Sequence, residues 1–556
     1  MQILLSSLFI ILNFYISGSF FANKNAHHNI ICKFSLSSIM GAILISFISL
    51  LINFFSPINQ LIGNIFLILS IIIFFLFFYF EKNRLKILIC SFVTSILVTI
   101  LILYSNIYRP DAGLYHLPYI QLIQENKILL GVTNINFRFG HSSILQYLSA
   151  IYNNGIMPLE VIILPPAILV SLFFVYFLSF YDKDYNFHEI KIFIFLIAIY
   201  SFYSFNRFSN FGNDAVSHLF FFLFWIRFIQ IQFVEGEINE FGDLAILSIF
   251  AFLQKLFMIF LPLVCFVIFV KFFLKKDIFQ NLKIIFSLIF LLAWLIKNIL
   301  ISGCVVYPVS FTCFKNLNVV DINSVREVAV ASESWSKDWP NRNNNSLSMM
   351  EYNKNFNWLP SWMNNHFKIV ITKFTPFLIT IFLVLTYTIL FLKKNNSKIY
   401  NDEFIKKIKI LVIISLLLTI FWFLKFPIYR YGQSFLTILF ISLFTLIFSK
   451  FSDNLKLKKI FVYSSIIVLA LAITKNFVRI KDNYKLKNKW PNIYTLSEKK
   501  EENFKKELQP VFLNGKLVYY FSDGSECMYN KSPCTNILVE KIIKKEKYGY
   551  EIFLRN

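Results

Sequence analysis

Charge is scarce in this chain. Asp, Glu, Lys and Arg make up 15% of its 556 residues, against 57% hydrophobic, and such a chain cannot cover a folded surface in water. That excludes disorder and an ordinary cytosolic enzyme. Glycine and proline are few, 15 of each, which excludes a collagen-like fibre. Seven cysteines are too few for a disulfide-dense mini-protein. There is no P-loop, no GxGxxG and no internal repeat, so glycine-rich phosphate cradles are missing.

What the chain does have is apolar runs of membrane-span length. Fourteen are read, near 2–21, 36–56, 61–80, 86–107, 158–181, 190–205, 215–234, 243–256, 258–275, 283–302, 368–393, 407–425, 434–450 and 459–475. The formal charge of +23 fits basic cytoplasmic loops better than a nucleic-acid partner, and none is expected. Four segments carry the basic residues: Lys82/Arg84/Lys86, Lys271/Lys275/Lys276/Lys283, Lys393/Lys394/Lys398/Lys406/Lys407/Lys409 and Lys450/Lys456/Lys458/Lys459. Placing all four in the cytoplasm puts both termini, loops 108–157 and 303–367, and the turns 206–214 and 426–433 outside. The first run lacks a basic leader segment and a small-x-small cleavage site, so it is expected to stay. Run 243–275 carries Lys255 in its middle, and two short helices meeting at the outer face would keep that charge out of the hydrocarbon.

Cysteine usage tests this orientation. Cys32, Cys90 and Cys265 lie in or beside apolar runs and read as small hydrophobes. Cys304/Cys313 and Cys527/Cys534 form close pairs in polar segments, without zinc-ribbon spacing or a nearby His. If both pairs are disulfides they need an oxidising compartment, and both fall on the outer side by loop charge. The tail beyond 475 turns polar, with a strand-like run over 516–521 followed by turn residues Asp523-Gly524-Ser525.

The polar residues that could do chemistry collect on that same outer face. Asp111 follows the fourth run and Pro110, which is expected to end the helix; residues 113–127 could lie along the interface as an amphipathic helix. Tyr115, His116, Arg138 and His141 share this loop. Asp214 opens a crossing, Lys255 sits between two, Lys297 lies a turn inside the boundary, and Arg430 stands between two tyrosines. Each has a structural alternative: a helix-end carboxylate, an N-cap, a snorkelling Lys or an aromatic-belt anchor. Together the cations suit the oxygens of a phosphate, and a carboxylate beside them could act as a general base.

Over residues 86–450 the order of elements resembles the GT-C membrane glycosyltransferases, such as the protein mannosyltransferases and aminoarabinose transferases. Asp111 matches the acidic residue of the family's first large outer loop, Asn213-Asp214-Ala215 a later acidic element, and Gln254-Lys255 with Pro262 its short-helix hairpin. Lys297-Asn298 with Gly303…Tyr307-Pro308 resembles the element that ends a later crossing, and Pro427…Arg430-Tyr431 the Pro…Arg-Tyr turn. Tyr115-His116-Leu117, Arg138-Phe139-Gly140-His141-Ser142-Ser143 and the Cys-x6-Cys tail resemble a bacterial surface-polysaccharide branch. Three departures stand out. Asp111 is followed by Ala112-Gly113 rather than a second acid, Lys297 stands where many members carry Arg, and three crossings precede the usual first one.

The resemblance implies an all-α polytopic GT-C fold of about fourteen transmembrane helices. Residues 1–85 would be extra N-terminal helices, 86–475 the transferase domain and 476–556 a small α+β periplasmic domain. It implies transfer of a sugar from a polyprenyl-phosphate donor to a glycan, lipid or protein acceptor, at the periplasmic face of the bacterial inner membrane. Asp111 would be the base. Lys255, Lys297 and Arg430 would meet the lipid phosphate, while Tyr115, His116, Arg138, His141 and Asp214 line the site. No cofactor is certain, and a divalent metal stays open although the paired-acid motif is absent. A flippase or transporter would need cations in the cytoplasmic half, where Arg227 alone lies inside a crossing. A polymerase or ligase would differ mainly in acceptor.

Overall fold

The computed structural model describes residues 2–21, 29–105, 109–157, 159–181, 189–208, 211, 213–231, 238–272, 281–317, 319, 321–343, 346–392, 402–451, 455–484, 508–513, 516–539 and 542–555. The chain is mostly helical. It opens with α1 (Gln2–Ser19), α2 (Ile30–Phe55), α3 (Gln60–Phe80) and α4 (Arg84–Leu103), followed by the loop helices α5 (Leu117–Glu125) and α6 (Ile144–Ala150). Next come α7 (Leu164–Leu178), α8 (Glu189–Ser204), α9 (Asn213–Gln230), α10 (Ile238–Gln254), α11 (Phe260–Phe272) and α12 (Leu282–Ser302). A second set of loop helices, α13 (Ile322–Ser336), α14 (Met349–Asn353) and α15 (Leu359–Trp362), leads to α16 (Lys368–Phe391), α17 (Asp402–Lys425), α18 (Tyr429–Phe448) and α19 (Leu455–Tyr484).

Ten of the described helical segments are long and apolar enough to cross a membrane. The predicted runs that fall on α8, α9, α10 and α11 are helical too, but these helices are shorter or, in α9, less apolar. The long runs form helices because a span in lipid must satisfy every backbone N–H and C=O internally. Burial sorts the bundle into a centre and a rim. The segment around α7 is 94% buried, whereas those of α3, α16 and α19 are 11%, 28% and 28% buried. The rim helices face outward with Ile, Leu and Phe, as lipid-facing helices do. α1 and α2 cross so closely that a Cβ on Gly18 would sit 1.7 Å from the Ser37 carbonyl oxygen, and one on Gly41 1.8 Å from that of Phe14. Only glycine permits that approach.

Run 243–275 is broken as its charge demands. α10 ends at Gln254, Lys255 is extended (φ −148°, ψ 130°), and a 3-10 turn over Leu256–Ile259 leads into α11. Other expectations need correction. α4 ends at Leu103, before Pro110, which instead opens a new helical turn. This is consistent with the tolerance of proline in a first turn. That turn widens into a π-helix over Ala112–His116 and runs on into α5. α5 is not an interfacial amphipathic helix: residues 117–120 and 122–124 are all buried, Gln124 included. Its polar groups find protein partners, for Gln124 donates to the carbonyls of Ala150 and Asn153 at 2.9 and 2.7 Å. α19 runs to Tyr484, past the predicted end of its crossing.

Residues 508–555 form strands. β1 (Gln509–Leu513) pairs antiparallel with β2 (Lys516–Phe521), which pairs parallel with the short β3 (Cys534–Thr535). β4 (Ile542–Lys547) and β5 (Tyr550–Arg555) form a separate hairpin. The expected α+β domain shows strands over its described part; residues 485–507 lie outside the described residues, as do Lys275, Lys276, Lys393, Lys394 and Lys398. Both predicted disulfides are present, Cys304–Cys313 and Cys527–Cys534. Cys32, Cys90 and Cys265 are free thiols.

The strands are tied to the loop between α4 and α7. Leu130 exchanges backbone hydrogen bonds with β5, its N–H to Glu551 and its carbonyl from Phe553, at 3.0 and 2.8 Å. The disulfide-closed loop 527–534 lies across α5. The Met528 N–H donates to the Gly113 carbonyl at 2.9 Å, and Glu125 accepts from the Ser532 N–H and hydroxyl at 3.0 and 2.6 Å. Tyr529 bonds Gln124 and Asn153.

Candidate active site

Four charged side chains from distant parts of the chain meet at one end of the bundle. Asp111, just before the π-helical turn, pairs with Arg430 in the first turn of α18 at 3.3 Å, and each side chain is 49% exposed. Asp214, in the first turn of α9, pairs with Lys255 at 2.8 Å, and these side chains are 29% and 20% exposed. The two pairs share one field: Tyr115 feels Lys255, Asp111, Asp214 and Arg430 together. Two carboxylates and two cations balance.

Local structure explains the placement. The break between α10 and α11 ends the helix at Lys255 and turns its side chain, 20% exposed, toward Asp214. Beside it Gln254 is 1% exposed, and both its side-chain polar atoms lack a hydrogen-bond partner among the described residues. An unsatisfied buried amide costs about 1–3 kcal/mol. Arg430 is held from behind by its own backbone: His218 meets the Arg430 carbonyl through Nε2 at 2.7 Å and the Ser434 hydroxyl through Nδ1 at 2.8 Å. Its imidazole also stacks on Phe257, whose ring lies 5.6 Å from Tyr431. His218 went unnoticed in the sequence. Its signal was the spacing Asp214-x3-His218, which puts both on one face of α9.

The predicted loop residues flank this cluster. His116 is buried, stacked on Phe211 at 4.7 Å, with Nδ1 3.3 Å from the Gln146 amide. Burial, then the nearby Lys255, hold its pKa well below the usual histidine value. His141 packs edge-on against Tyr307 at 5.6 Å; a Cβ on neighbouring Gly140 would strike that ring at 2.2 Å. Desolvation by the surrounding chain, then the nearby Lys255 and Arg138, lower the His141 pKa, although the edge of the side chain is open to solvent. Both imidazoles are neutral at pH 7. Arg138 stacks on Phe137 and donates to Asn536 of the strand region at 3.2 Å, within the field of Asp111 and Tyr115.

Lys297 does not join the cluster. It is fully buried, donates to the Ser142 hydroxyl at 2.7 Å and lies 3.5 Å from the Trp294 ring centroid. It supports the 137–143 turn. At the other end of the bundle Arg227 does not snorkel: it pairs with Asp243 at 3.7 Å, which also holds Lys283 at 2.5 Å. Among the described residues no group of three or more His, Cys, Asp and Glu is placed to hold a metal ion.

A family model matches residues 1–437, more than three quarters of the chain. The chain belongs to that family, described as a domain of unknown function (DUF8201). No curated protein and no solved structure matches the chain. The DUF8201 match takes in Asp111, Asp214, Lys255, Arg430 and every other candidate site residue, together with the Cys304–Cys313 bridge. The strand region and the Cys527–Cys534 loop lie beyond it, although that loop rests on α5 of the matched part.

Proposed function

We propose that the chain is a GT-C-type membrane glycosyltransferase. It moves a sugar from a polyprenyl-phosphate donor to a surface glycan, lipid or protein acceptor at the periplasmic face of a bacterial inner membrane. The observation that carries this reading is the half-exposed Asp111–Arg430 pair beside the more buried Asp214–Lys255 pair.

The two pairs suit different tasks. An exposed ion pair in water is worth about 0–1 kcal/mol, so Arg430 exchanges Asp111 for an incoming phosphate at little cost. That exchange frees the carboxylate. Asp111 then accepts the proton of the acceptor hydroxyl, whose oxygen attacks C1 from the face opposite the phosphate. The C1–O bond breaks, its electrons pass to the phosphate oxygen, and the anomeric centre inverts. Lys255 and Arg430 meet the charge on the departing polyprenyl phosphate, where preorganised cations stabilise it most. Asp214 keeps Lys255 charged and aimed. The unpaired Gln254 amide and the neutral His116 and His141 offer hydrogen bonds without charge, as sugar hydroxyls require. Lys297 is a positioning residue here, acting through Ser142.

At the other end of the bundle Asp243 engages both Arg227 and Lys283. The fourteen-crossing topology, with both termini outside, belongs to the same proposal. Purified protein incubated with a polyprenyl-phosphate sugar and an extract of envelope glycans should release polyprenyl phosphate and label an acceptor. Lys255→Ala should raise the donor KM and lower kcat, since one charge contact serves both the bound donor and the departing phosphate. Donor turnover unchanged by Lys255→Ala would remove this site from the reaction.

A further inference from the structure

A second group of cations gathers at the same end of the bundle, outside the site just described. Arg207 lies in the turn after α8, Lys373 in the second turn of α16, and Lys475 and Arg479 near the end of α19. The structure brings these segments together. Asn476 of α19 donates to the Asn206 backbone carbonyl and side-chain oxygen at 3.2 and 3.1 Å, and Arg479 bonds Asn476 at 2.5 Å. Tyr203 of α8 meets Thr380 of α16 at 2.9 Å.

The charges acting on Lys373 are Arg207, Lys475, Arg479 and Arg109, all positive; those on Lys475 are Arg479 and Arg207. Arg207 sits partly buried among them. Burial, then Arg479 and Arg109, push its pKa down to about 10, so it remains charged at neutral pH. Among the described residues no carboxylate pairs with Arg207, Lys373, Lys475 or Arg479. Asp482 lies one turn beyond Arg479 on α19 and forms no ion pair with it, while Asp111 is engaged by Arg430. Like charges held together without a counter-charge oppose folding, and an anion in their midst removes that cost.

The surroundings say where the anion comes from. α16 and α19 are rim helices, and the cations are flanked by exposed Ile369, Ile371, Phe477 and Val478. A soluble polyanion would meet this apolar collar unfavourably, whereas a lipid presents acyl chains to the collar and its headgroup to the cations. We propose that Arg207, Lys373, Lys475 and Arg479 form a lipid-facing site for the phosphate of an anionic membrane lipid. The site does not depend on the glycosyltransferase reading.

The test is native mass spectrometry of the detergent-purified full chain titrated with phosphatidylglycerol, phosphatidylcholine or polyprenyl phosphate. Wild-type protein should retain phosphatidylglycerol over phosphatidylcholine. Each basic residue near a membrane surface contributes about fivefold to anionic-lipid affinity, so Lys373→Gln/Lys475→Gln should bind phosphatidylglycerol roughly thirtyfold more weakly. Lys373→Arg/Lys475→Arg should keep the affinity, which separates lost charge from lost fold. Lys86→Gln, at the opposite end of the bundle, should change nothing. Displacement of phosphatidylglycerol by substoichiometric polyprenyl phosphate would assign the phosphate to a polyprenyl lipid; its absence would assign it to the bulk phospholipid. The proposal is overturned if the glutamine variant binds within about twofold of wild type, or if wild type shows no preference for the anionic lipid.

Discussion

Lys255→Met puts the arrangement of the charged cluster under the most quantitative strain. The substitution keeps the length of the stem and removes the charge 2.8 Å from Asp214, in a pair whose side chains are only 20% and 29% exposed. Breaking a fully buried pair from one side typically costs about 3–5 kcal/mol, because the remaining charge is stranded. Here residual exposure and the field of Arg430 on Asp214 soften the loss, so about 2–3 kcal/mol is expected. Asp214→Asn/Lys255→Met removes both charges, and the double-mutant cycle should return a coupling of about 1–2 kcal/mol. Arg430→Met is the internal comparison: its pair is 49% exposed on both sides and should cost about 1 kcal/mol or less. Unfolding of the purified proteins in one detergent, at matched concentration, gives the ranking. Equal losses for Lys255→Met and Arg430→Met, or no coupling between Lys255 and Asp214, would refute the two-pair reasoning.

Other consequences follow from the same geometry. Cys527→Ser/Cys534→Ser opens a loop of sequence separation 7, costing roughly 2 kcal/mol by chain entropy. It should make the segment over α5 cleavable by added protease while the helical bundle stays intact, and thiol reagents should label neither cysteine of the unreduced wild type. His116 and His141 have folded pKa values below the ordinary ~6.5 of an unfolded chain, so the unfolded state binds protons first as pH falls. Stability should therefore be flat above about pH 6.5 and decline toward pH 4, with a shallower decline in His141→Asn. Reporter fusions after residue 485 should be active only outside the cytoplasm and fusions near 400 only inside, and the reverse pattern would overturn the proposed orientation.

The membrane character of the chain was legible because hydropathy over about twenty residues is a strong physical signal. The α10–α11 break was legible because a lysine cannot sit in the middle of a single long span. Both disulfides could be read from paired cysteines in polar segments. α5 was misread as interfacial because periodicity reports that one face is apolar but not what covers the other. Its cover comes from loop 527–534, about four hundred residues away in sequence. Pro110 was misread since proline both ends and begins helices. Lys297 and Arg430 looked alike as cations near one boundary. Depth within the bundle separates them, and a one-dimensional pattern does not carry it. The cations of α8, α16 and α19 escaped notice for the same reason: each is an ordinary helix-end charge until the helices are brought side by side.

The central claim rests on Asp111 as a base, and Asp111→Asn tests it most directly. The amide nearly preserves shape, and the half-exposed pair with Arg430 contributes little stability, so insertion and abundance should match wild type. An amide accepts no proton, and a lost general base costs ~100- to 10,000-fold in rate. Transfer of sugar from a polyprenyl-phosphate donor by the purified variant, or surface glycan in cells carrying it as the sole copy, should therefore fall to background. Near-wild-type transfer by well-folded Asp111→Asn protein would contradict the account, leaving Asp111 a helix-end carboxylate paired with Arg430.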